Sequence, residues 1–427
     1  MFHLLQSAKN SFAPVNRIPP EVFSLIPDYY LEDNADKTLI SLTHVCRGWR
    51  TIFTSRASLW IRLDFKNVDK TRAYIQRSRS SPLKLYLGKN GVTDDAFDLV
   101  IPHICRLGSL SVDAFHLPRV LQRFRCYAPL LRKLDIKIVS RSNIVLDSAL
   151  FNGDLSSLHE LSLERVITDF PWKNLANLRL VYLKHPSKSY GMTQVLDFLE
   201  SAPLLHTVFL GYRMPDSSDA PPKRIILLRH LKALTIETRR PHPILLDHLH
   251  IPIGASLILE CQLSADAPPL LDHLPERSAN CGILSHITAI NLYFDSEQKF
   301  VQLSGPSGSL RLLGIWRGPR APPTSYDIDR QILCSLGHPS LSTIQRLTIS
   351  NYGHDRAIEY PVLQTLSSAN HLRTLVLTNC ENLSFILALD PTENRPRPLL
   401  CPKMERLVLH TLGADPYLPG RPMLSSW

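Results

Sequence analysis

The 427-residue sequence holds few groupings whose residue types and spacing could do chemistry. His242, Asp247, His248 and His250 form the one local histidine cluster, and imidazole and carboxylate are zinc donors. A zinc site needs convergent ligands, and neither His-Glu-x-x-His nor a paired-cysteine motif is present to complete one. With 17 histidines in the chain, chance proximity accounts for the cluster, and no metal is expected. Gly305-Pro306-Ser307-Gly308 resembles half of a nucleophile elbow, the strained turn that exposes a serine hydroxyl for acyl transfer. The glycine spacing is wrong for that, and Gly, Pro and Ser are turn formers, so a plain turn is expected. Asp94-Asp95 reads as a helix cap rather than an acid–base pair. No Gly-x-Gly-x-x-Gly and no Gly-x-x-x-x-Gly-Lys-Ser/Thr loop occurs to cradle phosphates. The expectation is a non-enzyme with no cofactor and no small-molecule substrate.

The eight cysteines (Cys46, Cys105, Cys126, Cys261, Cys281, Cys334, Cys380, Cys401) include no Cys-x-x-Cys pair and lie in apolar stretches, where cysteine acts as a small hydrophobe. The first residues have no basic segment followed by an apolar run, and no stretch approaches the ~20 apolar residues of a membrane span. A reducing cytoplasmic or nuclear setting, with no membrane partner, is expected. The net charge is +10. Between Arg47 and Arg79 nine basic residues face only Asp64 and Asp69, which reads as a solvated basic face. No aromatic-interleaved RNA motif or cysteine finger accompanies it, so nucleic acid is not the expected partner.

The elements that would carry function begin with a helical stretch. Ile18-Pro19-Pro20-Glu21-Val22-Phe23 reads as a helix start, since proline near the first position loses no needed N–H and Glu21 suits the positive helix end. Pro27 must stop or kink that helix. A second helix follows Asp33–Asp36, with Leu39, Leu42, Val45, Cys46, Trp49, Ile52 and Phe53 forming one apolar stripe. About 45 residues cannot bury so much apolar surface alone, so this module should lean on the rest of the chain or on a partner.

Ile18-Pro19-Pro20-Glu21-Val22, the run Leu39-x-x-Leu42-x-x-Val45-Cys46-Arg47-x-Trp49-Arg50-x-Ile52, and Ser58-Leu59-Trp60 together resemble an F-box. Asp69-Lys70-Thr71-Arg72 and the Arg77 to Leu83 stretch are similar to a group of fungal, basidiomycete-like F-box proteins. The resemblance implies docking on the Skp adaptor, and through it on the cullin, of an SCF-type ubiquitin ligase. Its docking positions would be Ile18, Pro19, Val22, Ile26, Leu39, Leu42, Val45, Cys46 and Trp49. Here Ile26-Pro27-Asp28-Tyr29-Tyr30 interrupts a first helix that runs on in many F-boxes, so a bent or weakened docking element is implied.

From residue 80 onward the pattern apolar-x-x-apolar-x-apolar recurs, as in Leu131-x-x-Leu134-x-Ile136, Leu158-x-x-Leu161-x-Leu163 and Leu372-x-x-Leu375-x-Leu377. Its last apolar residue falls at 85, 112, 136, 163, 183, 210, 236, 259, 292, 315, 349, 377 and 409, a mean interval of 27. Leucine-rich repeats run ~20–29 residues. The alternation predicts a short strand per repeat, each parallel to the next, stacked so that together they bury a face none can bury alone. The expected fold class is α/β: a small all-α F-box, then an irregular leucine-rich-repeat-like solenoid with a curved parallel sheet. The domains are expected at 1–14 (extension), 15–62 (F-box), 63–412 (solenoid) and 413–427 (Pro-rich tail).

The same alternation assigns an outward row. It includes Lys133, Asp135, Lys137, Glu160 and Glu164, then Tyr182, Phe209, Tyr293 and Trp316. Those four aromatics are the candidate target-binding anchors, because aromatic side chains supply much interface affinity. Two functions fit: a substrate-recognition adaptor of an SCF ligase with a protein target, or an interaction scaffold whose F-box-like helices merely cap the solenoid.

Overall fold

The computed structural model describes residues 12–23, 35–88, 93–113, 122–138, 144–146, 149–168, 175–213, 224–238, 244–263, 286–294, 298–306, 308–316, 344–350, 366, 370–379 and 401–410. The chain forms two compact units, Met1–Leu175 and Ala176–Trp427.

The first unit opens with a 3-10 turn at Pro14–Arg17 and short helix α1 (Pro20–Phe23), with Pro20 at its first position and Glu21 in its first turn. Pro27 and Ile26 lie outside the described residues. Two helices follow, α2 (Ala35–His44) and α3 (Arg47–Ser55), where the sequence predicts one. The break falls at Val45-Cys46. Cys46 is extended (φ −156°, ψ 173°) and precedes α3 with no side-chain cap. Arg50 Nε donates to the Thr43 carbonyl at 2.9 Å, meeting one of the acceptors that a helix C-terminus leaves open. The stripe is therefore divided between two helix axes, and its residues no longer share one face.

A 3-10 turn (Ala57–Trp60) leads into β1 (Arg62–Leu63), α4 (Val68–Ser78), β2 (Leu83–Leu87), α5 (Asp94–Val100), β3 (Leu107–Asp113), β4 (Lys133–Lys137), β5 (Ile144–Leu146), β6 (Glu160–Glu164) and β7 (Val166–Thr168). Asn67 caps α4 by accepting from the Lys70 N–H at 2.9 Å. Strands β1, β2, β3, β4 and β6 lie side by side, all parallel, while β5 and β7 form a separate parallel pair. The inward row Leu134, Ile136, Leu161 and Leu163 is fully buried.

Behind this sheet runs a row of phenylalanines. Phe65 stacks on Phe97 (centroids 5.6 Å apart), Phe97 meets Phe124 edge-on (5.1 Å), and Phe124 meets Phe151 (5.7 Å). All four are buried. Phe65 and Phe151 have left-handed backbones (φ 58° and 50°). That conformation costs a bulky residue on the order of 1–3 kcal/mol, and burying the ring returns about 1.5–3 kcal/mol. The two terms are comparable, so the ring-to-ring contacts tip the balance.

The second unit contains β8 (Leu180–Ser189), α6 (Met192–Ser201), β9 (Thr207–Arg213), β10 (Ile226–Leu227), β11 (Ala233–Thr238), α7 (Ile244–Asp247), β12 (Leu249–His250), β13 (Ser256–Leu263), β14 (Ala289–Phe294), β15 (Gln298–Ser304), β16 (Ser309–Trp316), β17 (Arg346–Ser350), β18 (Thr374–Thr378) and β19 (Arg406–His410). Its sheet runs β8-β9-β11-β13-β16-β15-β14-β17-β18-β19. Seven of these ten pair in parallel only and β14 and β16 do so on one side, while β15 runs antiparallel to both β14 and β16. All thirteen segments singled out by the repeat pattern are strands, so a few helices near the N-terminus precede a large, mainly parallel sheet.

Two expectations need correction. The sequence order 259, 292, 315 implies β13 beside β14, yet β13 pairs with β16: Leu259 faces Leu312. The chain passes over to β14, returns through β15 and folds back through β16. The second concerns the frame of β16. Leu310 and Leu312 are buried, whereas the pattern Leu310-x-x-Leu313-x-Ile315 gave Leu312 an outward place. Leu310-x-Leu312-Leu313-x-Ile315-Trp316 is apolar on both parities, so alternation cannot choose a face.

Gly305 and Gly308 lie between β15 and β16, with the Gly305 N–H donating to Gly308 O at 3.0 Å. A Cβ on Gly305 would stand 2.1 Å from the His286 carbonyl oxygen, and one on Gly308 2.3 Å from that of Ile253. Close backbone approach explains both glycines.

Candidate functional site

In the first unit the described part of the helical module has a buried interior. Leu39 is 2 % exposed, and Phe53 and Trp60 are fully buried. The Trp60 indole donates to the Phe53 carbonyl at 2.9 Å, meets Tyr74 edge-on at 4.9 Å, and lies 4.3 Å beneath the Arg77 guanidinium. Leu63 then pairs with Leu85, so the module runs directly into the sheet of its own unit. Asp64 reinforces the junction through a 2.9 Å ion pair with Lys70. Burial raises the Asp64 carboxyl, but the hydrogen bond and charge of Lys70, helped by Lys66, overcome it and hold the group below its ordinary value.

Against that interior, several apolar side chains point to solvent. Val22 is 54 % exposed, Ile40 40 % and Val45 57 %. Pro19 is exposed, and Ile18, Leu42 and Cys46 are half-buried. Trp49 is half-buried and committed within the chain: its indole donates to Asn16 Oδ1 at 2.6 Å and its ring meets Phe53 edge-on at 6.0 Å. The named docking residues thus divide. Leu39 supports the fold from inside, Trp49 ties the N-terminal turn to α3, and Pro19, Val22, Leu42 and Val45 offer surface. Ile40 was missed by the sequence reading because it lies off the stripe; its type, an isoleucine beside a stripe leucine, was the available signal.

Residues 15–66 match the F-box-like family model. No curated protein matches the chain. F-box-like domains generally bind the Skp adaptor within SCF complexes, and the match over these residues suggests the role of an SCF substrate-recognition adaptor in general.

The outward rows of the two units differ. In the first unit Lys133 pairs with Glu160 and Lys137 with Glu164, both at 2.8 Å across neighbouring strands. In the second unit Tyr182 and Phe209 face each other in register and stack at 4.3 Å, 18° from coplanar. Lys184 Nζ lies 5.6 Å from the Phe209 ring centre and 2.6 Å from Glu237. Gly211 makes this closeness feasible, since a Cβ there would stand 3.0 Å from the Phe209 ring. Both rings are half-buried. Tyr293, also half-buried, is five strands from Phe209, roughly 24 Å along the sheet. The side chain of Trp316 lies outside the described features. Of the four aromatic candidates, the fold brings together Tyr182 and Phe209.

The histidine cluster resolves into separate duties. His248 is buried with its Nδ1 2.9 Å from the Arg224 carbonyl, while Asp247 and His250 face solvent and His242 lies outside the described residues. Among the described residues no group of three or more His, Cys, Asp or Glu could hold a metal ion. No described helix is long and apolar enough to cross a membrane.

Proposed function

We propose that this chain is the substrate-recognition subunit of an SCF-type cullin-RING ubiquitin ligase. Its helical module docks on the Skp adaptor through Pro19, Val22, Ile40, Leu42 and Val45. Its sheet, a leucine-rich-repeat-like solenoid, holds a protein target with the Tyr182–Phe209 stack as the leading anchor. Catalysis resides in other subunits, and the complex works in the cytoplasm or nucleus. The observation that supports this most is the exposure of Val22, Ile40 and Val45 on a module in which Leu39, Phe53 and Trp60 are buried. A second reading, in which the helices only cap the solenoid, draws on buried Trp60 and the Leu63–Leu85 pairing, but it leaves those exposed residues without a purpose. Burying each in an interface is worth about 1.5–3 kcal/mol. Pull-down of the full chain with Skp adaptor and cullin decides between them. Ile40→Asp with Val45→Asp should abolish capture while circular dichroism stays unchanged. Full capture by the double variant would favour the capping reading.

A further inference from the structure

In the second unit, the residue preceding each of three neighbouring strands is basic: Arg179 before β8, His206 before β9 and Lys232 before β11. Backbone hydrogen bonds fix their register. The His206 and Thr207 N–H groups donate to Arg179 O at 2.8 and 3.1 Å, and those of Lys232 and Ala233 donate to His206 O at 2.7 and 3.0 Å. Adjacent strands lie ~4.8 Å apart, so the three bases follow one another at that interval along the strand-start edge. His230 adds a second imidazole, its ring centre 6.2 Å from that of His206 and nearly perpendicular to it. Arg179, Arg229, His230 and Lys232 are exposed.

The loops carrying these residues, 176–179, 203–206 and 229–232, contain no Asp or Glu. Farther along the same edge the equivalent position is neutralised, since Arg373 pairs with Glu405 at 3.2 Å. The His206 imidazole is held below its ordinary value by desolvation first, then by the charges of Lys232, Arg179 and His230. A site where like charges press on one another gains most when an anion arrives.

We propose that this edge is a docking site for an acidic segment of a partner protein. It lies at the strand starts rather than on the outward face, and it stands whether or not the helical module docks. An acidic peptide fits better than nucleic acid. Tyr182 and Phe209, three residues along from Arg179 and His206, stack on each other and so leave no ring pair open for a base to stack between.

The test uses the full chain and a fluorescein-labelled decaglutamate peptide, read by fluorescence anisotropy. Binding should weaken as salt rises. Arg179→Glu with Lys232→Glu should weaken it by about tenfold or more. Arg346→Glu with Arg406→Glu, an equal charge change on exposed residues of the same unit, should change it by no more than about twofold, the scale of a screened distant charge. Should the charge reversal alter the circular dichroism spectrum, Arg179→Gln with Lys232→Gln gives the same comparison with milder change. On peptide binding the His206 imidazole should shift toward its protonated form in NMR spectra. Absence of peptide binding, equal losses in the two double variants, or tighter binding of a single-stranded DNA of matched charge would overturn the proposal. None of these outcomes bears on capture of the Skp adaptor, which is read separately by pull-down.

Discussion

Between Lys133 and Glu164 the outward row of the first unit is ionic, and between Tyr182 and Glu237 that of the second is aromatic with one ion pair. The inward rows of the same strands are nearly alike: Leu134, Ile136, Leu161 and Leu163 in one, Val181, Val208, Leu210 and Leu234 in the other, all buried. Burial dictates the inward row, because only apolar side chains of similar volume pack there without a desolvation cost. The outward row carries no such demand, and its chemistry can follow a partner. The interiors behind the strands differ too, with the first unit placing phenylalanines 65, 97, 124 and 151 in successive ring contact.

That contrast can be broken at its core. Phe124 touches both Phe97 and Phe151 and is fully buried, so Phe124→Ala should destabilise the first unit by about 3–5 kcal/mol. Urea unfolding followed by a probe in each unit checks this. A loss below ~1 kcal/mol would mean that the phenylalanine row is not what holds the repeats together. The outward rows offer a smaller effect. Phe209→Ala removes half of the aromatic pair, and it should cost about 2 kcal/mol in target affinity. Comparison of proteins co-purifying with wild type and variant, normalised to the Skp adaptor, measures it; an unchanged set would remove the aromatic face from the target-binding account. The smallest effect belongs to the ionic row. Lys133 and Glu160 are each about half exposed, so Lys133→Ala should shift stability by under ~1 kcal/mol. A larger loss by thermal unfolding would show that the ionic row contributes to the fold rather than only to the surface.

Much of this was legible beforehand, and the exceptions have physical causes. The thirteen strand segments could be read because Leu-x-x-Leu-x-Leu alternation with one buried face leaves few alternatives. Leu183–Leu210 and Leu210–Ile236 pair in the expected register. β15 escaped because its inward residues Val301 and Leu303 follow Gln298 where the pattern needs an apolar residue, although the glycines at 305 and 308 marked the turn beside it. The phenylalanine row was visible in principle, as residues 97, 124 and 151 recur at the repeat interval of 27. In the helical module, helical periodicity through Val45-Cys46 hid the break, which is stabilised by Arg50 bonding back to Thr43.

By itself the sequence determined which residues must turn inward, where the strands lie, and that an F-box-like stretch precedes them. Local alternation and turn chemistry suffice for these, since they depend on neighbours a few residues apart. The tertiary structure alone decided that β16 lies beside β13, that Leu312 is buried, and that Arg179, His206 and Lys232 align along one edge. These depend on pairings between residues tens of positions apart, where competing registers differ only in how whole strands pack.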